Sequence, residues 1–243
     1  MTIIETLLKK GKLSLVEGVY DPGILKAIFT AGGPGSGKTK VAKELFNIPP
    51  KSTLSSFGLK QVNSDIPFEH LLKKTGVGMK LADLTPAEFS KVTSSDPSSL
   101  RSKAKKISTE QYKLYLQQKL GVIVDGTGDD LDKIRNEKGL LEQLGYDCFM
   151  VFVNTDLEVA LERNRKRSRT IPEELVKESW HSVQKNIGHF QSLFRGNFSV
   201  IDNSDPGEIN RETIKFVHKF LAKPTQNITG RQWIENEMNK EQR

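Results

Sequence analysis

The 243 residues include a single cysteine, Cys148. No disulfide framework can form within the chain, and a reducing, cytosolic setting is the expectation, the host cytoplasm if the chain is phage-encoded. No apolar run approaches the ~18 residues that a membrane-spanning helix requires, so no membrane partner is expected. Met1 to Leu8 is apolar only briefly before Lys9 and Lys10, whereas a signal peptide places its charges first and a longer apolar run after them. The segment reads as a short amphipathic helix with Ile3, Ile4, Leu7 and Leu8 on one face. The four histidines, His70, His181, His189 and His218, show no metal-ligand spacing. No internal repeat or second domain is visible. Cys148 itself lies in the apolar run Cys148-Phe-Met-Val-Phe-Val153 and reads as a small buried hydrophobe, because no basic partner or helix N-terminus adjoins it.

What is present describes a globular α/β chain. Hydrophobic residues make up 36% and charged residues 28%, enough apolar material for one core. Lys and Arg number 37 against 30 acidic residues, a net charge of +7, which favours phosphorylated or polyanionic partners. Five short apolar runs read as buried parallel strands: Ala27–Thr30, Leu59–Asn63, Val122–Val124, Phe149–Val153 and Phe198–Ile201. Helical patterns separate them, over Thr39–Phe46, Ser108–Leu120, Leu131–Leu144 and Asp156–Arg167. The alternation predicts a three-layer α/β sandwich with about five parallel strands and helices on both faces. The expected organisation is a helical extension over 1–24, a nucleotide-binding domain over 25–222 and a tail over 223–243. Within it, residues 75–107 break the rhythm with Gly76, Gly78, Pro86, a Ser-rich stretch and the basic run Arg101–Lys106, and read as a partly mobile insertion on the substrate side.

Gly32-Gly-Pro-Gly-Ser-Gly-Lys-Thr39 fits G-x-x-x-x-G-K-[ST] at every fixed position, after a strand and before a helix. This is a P-loop. Gly33, Pro34, Gly35, Ser36, Gly37, Lys38, Thr39 and Lys40 are expected to cradle the phosphates of ATP, with the helix dipole adding positive potential. Lys38 would bridge the β- and γ-phosphates, and the Thr39 hydroxyl would hold Mg²⁺. The third strand ends Val122-Ile-Val-Asp-Gly-Thr127. Asp125 is assigned to Mg²⁺ or the acceptor, with loop capping as the plainer alternative. Gly126 stands where a motor ATPase carries a second acid, and the Asn-Lys-x-Asp motif of GTPases is absent. A kinase remains.

Two further features suit phosphoryl transfer. Asp65, after the second strand, could take the proton of an acceptor hydroxyl; the plainer role is a helix cap, for which Ser64 competes. Arg163-Asn-Arg-Lys-Arg-Ser-Arg169 packs five cations into seven residues. Arg163 and Arg167 are four apart, hence expected on one helix face, where they could clamp the transferring phosphoryl group. With Ile171-Pro172 following, residues 163–172 read as a lid that closes over ATP and excludes water. Asp202-Asn-Ser-Asp205, after the fifth strand, is a candidate surround for the adenine.

On these residues the chain resembles the zeta-toxin and polynucleotide-kinase branch of P-loop kinases, and is similar to phage-encoded members. The P-loop, Asp65 and the run Arg163-Asn-Arg-Lys-Arg167 with Ile171-Pro172 carry the likeness, over roughly residues 25 to 205. The resemblance implies that Asp65 is the general base and that Arg163 or Arg167 stabilises the transition state. The sequence departs from the pattern at Phe68, where such relatives carry an arginine that holds the acceptor's phosphate.

The resulting expectation is an ATP- and Mg²⁺-dependent kinase acting on a hydroxyl of a phosphate-bearing acceptor, either a polynucleotide 5′-hydroxyl or a hydroxymethylated DNA base. The alternatives are a zeta-like kinase of a nucleotide-sugar, and an ATP-switched nucleic-acid binder without acceptor chemistry.

Overall fold

A computed structural model describes residues 18–205 and 207–241, so the expected helix at the N-terminus lies outside the described residues. Five strands, all parallel, form one sheet: β1 (Lys26–Ala31), β2 (Lys60–Val62), β3 (Val122–Asp125), β4 (Asp147–Asn154) and β5 (Phe198–Asp202), in the order β2-β3-β1-β4-β5. The order explains the composition of the strands. β1 is central and every one of its residues is buried, and β4 beside it is buried over six consecutive residues. A strand covered on both faces has no solvent side on which to alternate, hence the continuous apolar runs. The edge strands β2 and β5 are only partly covered and are correspondingly more polar.

The helices are α1 (Lys38–Leu45), α2 (Asp65–Thr75), α3 (Pro86–Thr93), α4 (Leu100–Gln117), α5 (Leu131–Gln143), α6 (Leu157–Lys166), α7 (Glu173–Phe194), α8 (Arg211–Ala222) and α9 (Ile228–Glu241). On one face of the sheet, Val41 and Leu45 of α1 and Val217, Phe220 and Leu221 of α8 pack with Ile28, Phe149 and Val151. On the other, Ile134 and Leu141 of α5 and Val183, Phe190 and Phe194 of α7 pack with Phe29, Met150 and Phe152. This is the α/β fold of P-loop kinases, with the three layers the sequence predicts. Cys148 is buried in the second core, and burial pushes its thiol pKa far up, which suits an inert hydrophobe.

Residues 75–107 hold more helix than expected. Thr85 and Glu88 form a capping box that starts α3, and Ser99 caps α4, which already runs through the basic segment. Phe68 and Leu72 of α2, Leu81, Val92 of α3 and Ala104 of α4 form a small core of their own. Gly76, Ser94 and Ser99, which read as part of an irregular insertion, stop or cap helices. The tail is docked as well: Trp233 and Ile234 of α9 reach the second core, and Asp147 accepts from the backbone N–H of Gln226 and Asn227 (2.8 and 2.9 Å).

Candidate active site

The P-loop leaves the C-terminal end of the central strand, the place where open α/β sheets bind ligands. Its shape depends on two glycines with φ near +81°, Gly35 and Gly37. A Cβ on Gly35 would lie 2.3 Å from the Ala160 carbonyl oxygen, and one on Gly37 would lie 2.4 Å from Asn203 Nδ2. No other residue type fits either position. The outer side of the loop is clamped by the neighbouring strand ends: Asn203 Nδ2 and Thr155 Oγ1 both donate to the Ser36 carbonyl (2.7 and 3.2 Å). Trp180 of α7 donates from Nε1 to the Thr155 carbonyl (2.7 Å), which ties α7 to the clamp. Lys38 starts α1, and its ammonium donates to the Gly32 and Gly33 carbonyls. Thr39 and Lys40 are exposed in the same first turn.

Asp125 ends β3 beside β1. Thr30 Oγ1 donates to its Oδ1 (3.1 Å) and Asn63 Nδ2 to its Oδ2 (2.7 Å). Burial holds this carboxyl above the ordinary carboxylate range, although Lys38 and the Thr30 hydroxyl pull it down. Burial likewise lowers the Lys38 ammonium below the ordinary lysine range, against the attraction of Asp125 and Asp65. Lys38 therefore sits in the field of both carboxylates. Among the described residues no three His, Cys, Asp or Glu side chains form a group able to hold a metal ion.

Asp65 is the first residue of α2, and its carboxylate does not cap the helix. The turn is closed by Asn63, whose Oδ1 accepts from the Asp65 N–H at 2.7 Å, while Ser64 makes no side-chain cap. Asn63 thus links the backbone of Asp65 to the carboxylate of Asp125. The Asp65 carboxylate instead meets arginines: Arg101 Nη1 donates to Oδ1 (2.8 Å), Arg169 Nη2 donates to Oδ2 (2.6 Å), and Arg167 Nη2 stands 3.9 Å from Oδ2. Burial alone would raise Asp65, but Arg169 and Arg101 outweigh it and hold the group below the ordinary aspartate range. Phe68, the departure noted above, is buried beneath this cluster, with the guanidinium carbons of Arg101 and Arg169 at 5.1 and 5.8 Å from its ring centroid.

The structure divides the cations of residues 163–169 instead of massing them. Arg167 is where α6 ends, with extended backbone (φ −74°, ψ 146°), so the expected shared face with Arg163 is absent. Arg167 turns towards Asp65 and Glu69. Arg163 stays on α6 and points to the opposite flank of the P-loop: its Nη2 is 3.5 Å from the Ser204 carbonyl, and its buried Nη1 has no hydrogen-bond partner among the described residues. Arg165 pairs with Glu173 (2.6 Å) and Lys166 with Glu162, so both are ordinary surface pairs. Asn164 pins the turn, its Oδ1 accepting from the Ile171 N–H (3.1 Å) and its Nδ2 donating to the Ile171 carbonyl (2.8 Å).

Sequence reasoning missed Arg101, Arg169 and Asn63. Arg169 carried a signal, being the last cation of the run. Arg101 was visible only as part of a basic stretch, and nothing local marked Asn63.

A sequence profile of the AAA domain family matches residues 28–189, well over half of the chain. The chain belongs to this AAA domain family. Within it, Gly126 after Asp125 leaves this AAA domain without the second acid of the motor enzymes. No curated protein matches the chain. Among solved structures, a protein of Chloroflexus aurantiacus J-10-fl, classed provisionally as a kinase, superposes with a TM-score of 0.51 at 14% identity, over 82% of this AAA domain chain and 97% of its own. A chain of the AvrRxo1-ORF1:AvrRxo1-ORF2 complex, solved with sulphate ions, gives 0.51 at 15% identity, over 93% and 73%. The PezAT toxin–antitoxin system of Streptococcus pneumoniae gives 0.48 at 15% identity, over 99% and 97%, which is too distant to carry weight. At such identities the likeness shows the fold alone.

Proposed function

We propose that this kinase-like P-loop domain is an ATP-dependent phosphotransferase that moves the γ-phosphate to a hydroxyl of a nucleotide or nucleic-acid acceptor. The observation that carries the reading is the convergence of Lys38, Asp65, Asp125 and Arg167 at the ends of β1, β2 and β3, where Lys38 feels both carboxylates and Arg167. Asp65 stands on a different strand end from the one at which a motor ATPase carries its second acid, on the side open to an acceptor.

In this reading the acceptor hydroxyl gives its proton to Asp65 as its oxygen bonds to the γ-phosphorus. The bond from that phosphorus to the bridging oxygen breaks, and the electron pair leaves on ADP. Lys38 neutralises charge on the β- and γ-phosphates, and Arg167 meets the charge that spreads over the transferring group. Arg163, whose buried Nη1 has no partner among the described residues on the Asn203–Ser204 side, contacts the base side of the donor nucleotide. The residues present suit Mg²⁺: Thr39 supplies a hydroxyl and Asp125 a buried carboxylate that a cation would relieve. The ion would supply further neutralisation of phosphate charge. Asp125 and Asn63 hold the two halves of the site in register.

The test is transfer from γ-labelled ATP with Mg²⁺ to 5′-hydroxyl DNA and RNA, hydroxymethyl-pyrimidine DNA, nucleosides and a UDP-amino-sugar. Label on one acceptor, lost in Asp65→Asn, is the expected result. Label on the UDP-amino-sugar alone would move the reading to the nucleotide-sugar kinase. Phosphate released equally by both proteins, with no acceptor labelled, would replace it with the ATP-switched binder.

A further inference from the structure

Asn203 is the first residue after β5, in the run that the sequence offers as a surround for the adenine. Its side chain turns to the P-loop instead. Nδ2 donates to the Ser36 carbonyl at 2.7 Å, and the residue is only 7% exposed. A carbonyl can only accept, so this contact fixes which end of the amide meets the loop. Thr155, the first residue after β4, is buried and meets the same carbonyl. Its hydroxyl has one proton and two carbonyls within reach, Asn154 at 2.6 Å and Ser36 at 3.2 Å. The shorter contact takes the larger share of that proton, which leaves Asn203 as the main donor to Ser36. The two donors are themselves held. The Asn203 N–H donates to the Asn154 carbonyl (2.9 Å), Trp180 Nε1 to the Thr155 carbonyl (2.7 Å) and Gln184 Nε2 to Asn154 Oδ1 (2.7 Å).

A trans peptide unit points its C=O and its N–H in opposite directions. The Ser36 C=O is drawn towards the ends of β4 and β5, so the Gly37 N–H points away from them, and it donates to no group among the described residues. The loop's own covalent structure does not secure that orientation. Gly37, at φ +81° and without a Cβ, accepts either sign of φ, so the peptide unit is free to turn over. A turned-over unit would aim a carbonyl oxygen at an anion where an N–H is needed. We infer that Asn203, assisted by Thr155, is a positioning residue that holds the Gly37 N–H towards the phosphates of the donor. The inference rests on the phosphate-binding role given to the loop above, and it assigns part of that role to a residue outside the loop. Glycine at 37 and asparagine at 203 then work as one device. The glycine makes room for the amide, whose Nδ2 would lie 2.4 Å from any Cβ there, and the amide removes the freedom that the glycine brings.

The experiment uses the fact that Ser36-Gly37 is the sole Ser-Gly step in the 243 residues. The full chain, made by cell-free synthesis with ¹³C-carbonyl serine and ¹⁵N-glycine, reports the Gly37 amide in isolation, with the other glycine amides as references. Mg²⁺ with tripolyphosphate and Mg²⁺ with ATP are titrated in separately, followed by NMR and calorimetry. In the unmodified chain both ligands should move the Gly37 proton downfield, as for an N–H that gains an anionic acceptor. In Asn203→Ala that movement should be smaller at saturation, and both ligands should bind roughly three- to tenfold more weakly, the loss expected of one hydrogen bond. Thr155→Val should act in the same direction and less, and Thr155→Ser, which keeps the hydroxyl, should restore the unmodified values. These two variants carry the test should Asn203→Ala melt below the working temperature. A general loosening of the fold would displace the glycine amides outside the loop as well, whereas a positioning role confines the change to the loop. Changes spread over all glycines, a Gly37 amide that stays still on binding, or one that moves equally in both proteins would overturn the proposal. So would unaltered affinity of Asn203→Ala for tripolyphosphate with weakened affinity for ATP, which would place Asn203 at the base instead. Tripolyphosphate binding without ATP binding would overturn the kinase reading and still test Asn203, and binding of neither would overturn both.

Discussion

Arg169 Nη2 donates to Asp65 Oδ2 at 2.6 Å, joining the turn after α6 to the first residue of α2. The pair is partly buried, Arg169 being the more enclosed partner at 9% side-chain exposure. Together with Glu69, which Arg169 Nε also meets at 3.2 Å, it holds the turn after α6 down on the acceptor side of the sheet.

The pH dependence of that contact has a definite sign. The folded-state pKa of Asp65 is depressed by Arg169 and Arg101. Its stabilising contribution is therefore fully present above the unfolded value, about 3.9, and is lost as pH falls through the lower folded value. Asp65→Asn should melt at a lower temperature than the unmodified chain at neutral pH, and the difference should shrink below about pH 4. The same variant should retain ATP binding while transfer falls by roughly 10²- to 10⁴-fold, the range of a general base. Loss of ATP binding would make Asp65 a purely structural residue.

Lys38 tests the P-loop assignment. Lys38→Ala removes a cation enclosed between the loop carbonyls and two carboxylates. It should cut transfer by at least about 10²-fold, as removal of one preorganised electrostatic group does. Melting temperature serves as the control for folding, and transfer at the unmodified rate would refute the assignment.

These tests bear differently on what the sequence made legible. The P-loop and five strands were readable because their signals are local: glycine spacing fixed by backbone approach, and unbroken apolar runs fixed by two-sided burial. Asp65 was readable from its place after a strand. The lid was half readable. Its cations are adjacent in sequence, but the end of α6 at Arg167 sends Arg163 to one flank of the P-loop and Arg167 and Arg169 to the other, and that divergence depends on Asn164 closing the turn on Ile171. Arg101 was hidden for a different reason. It lies 36 residues from Asp65, and their contact arises only because α2, α3 and α4 share a small core, which no local periodicity announces.

The division of the lid gives two separable kinetic effects. Arg163 lies beside Gly37 and Ser204, the flank proposed above to meet the base side of the donor. Arg163→Ala should raise KM for ATP by roughly tenfold, the equivalent of one lost charged hydrogen bond, with a smaller change in kcat. Arg167 faces Asp65 and lies within the field of Lys38 and Asp125. Arg167→Ala should lower kcat by about 10²-fold or more with KM for ATP little changed, as for a group whose contact strengthens only in the transition state. Steady-state kinetics with ATP varied at fixed acceptor checks both. If both variants showed the same KM effect, the two arginines would be acting as one clamp after all.

Asp125 sets stability against activity. Burial raises its folded-state pKa, so its ionised form is a cost to folding. A carboxyl whose pKa is raised on folding stabilises fully only below the unfolded value, near 3.9, and that contribution is lost as pH rises through the folded value. The ionised form is therefore the costly one, and the carboxyl stands at the end of β3, where phosphate chemistry would use its charge. Asp125→Asn removes the charge while keeping the shape. An asparagine here can accept from Asn63 Nδ2 with its oxygen and donate to Thr30 Oγ1 with its amide, so neither present partner is orphaned. The variant should melt at the same temperature as the unmodified chain or higher at pH 7, by up to a few degrees for a chain of this size. Its advantage should vanish at acid pH, where the aspartate is protonated in both states. Transfer should fall by at least about 10²-fold, because the carboxylate proposed to hold Mg²⁺ is gone. Raising Mg²⁺ concentration should recover part of that loss in the variant and none of the loss in Lys38→Ala, which separates a metal-holding role from direct contact with phosphate. A variant that melts much lower would show that the Thr30–Asp125–Asn63 bridge is a structural tie first. Unaltered transfer with unaltered Mg²⁺ dependence would remove Asp125 from the site.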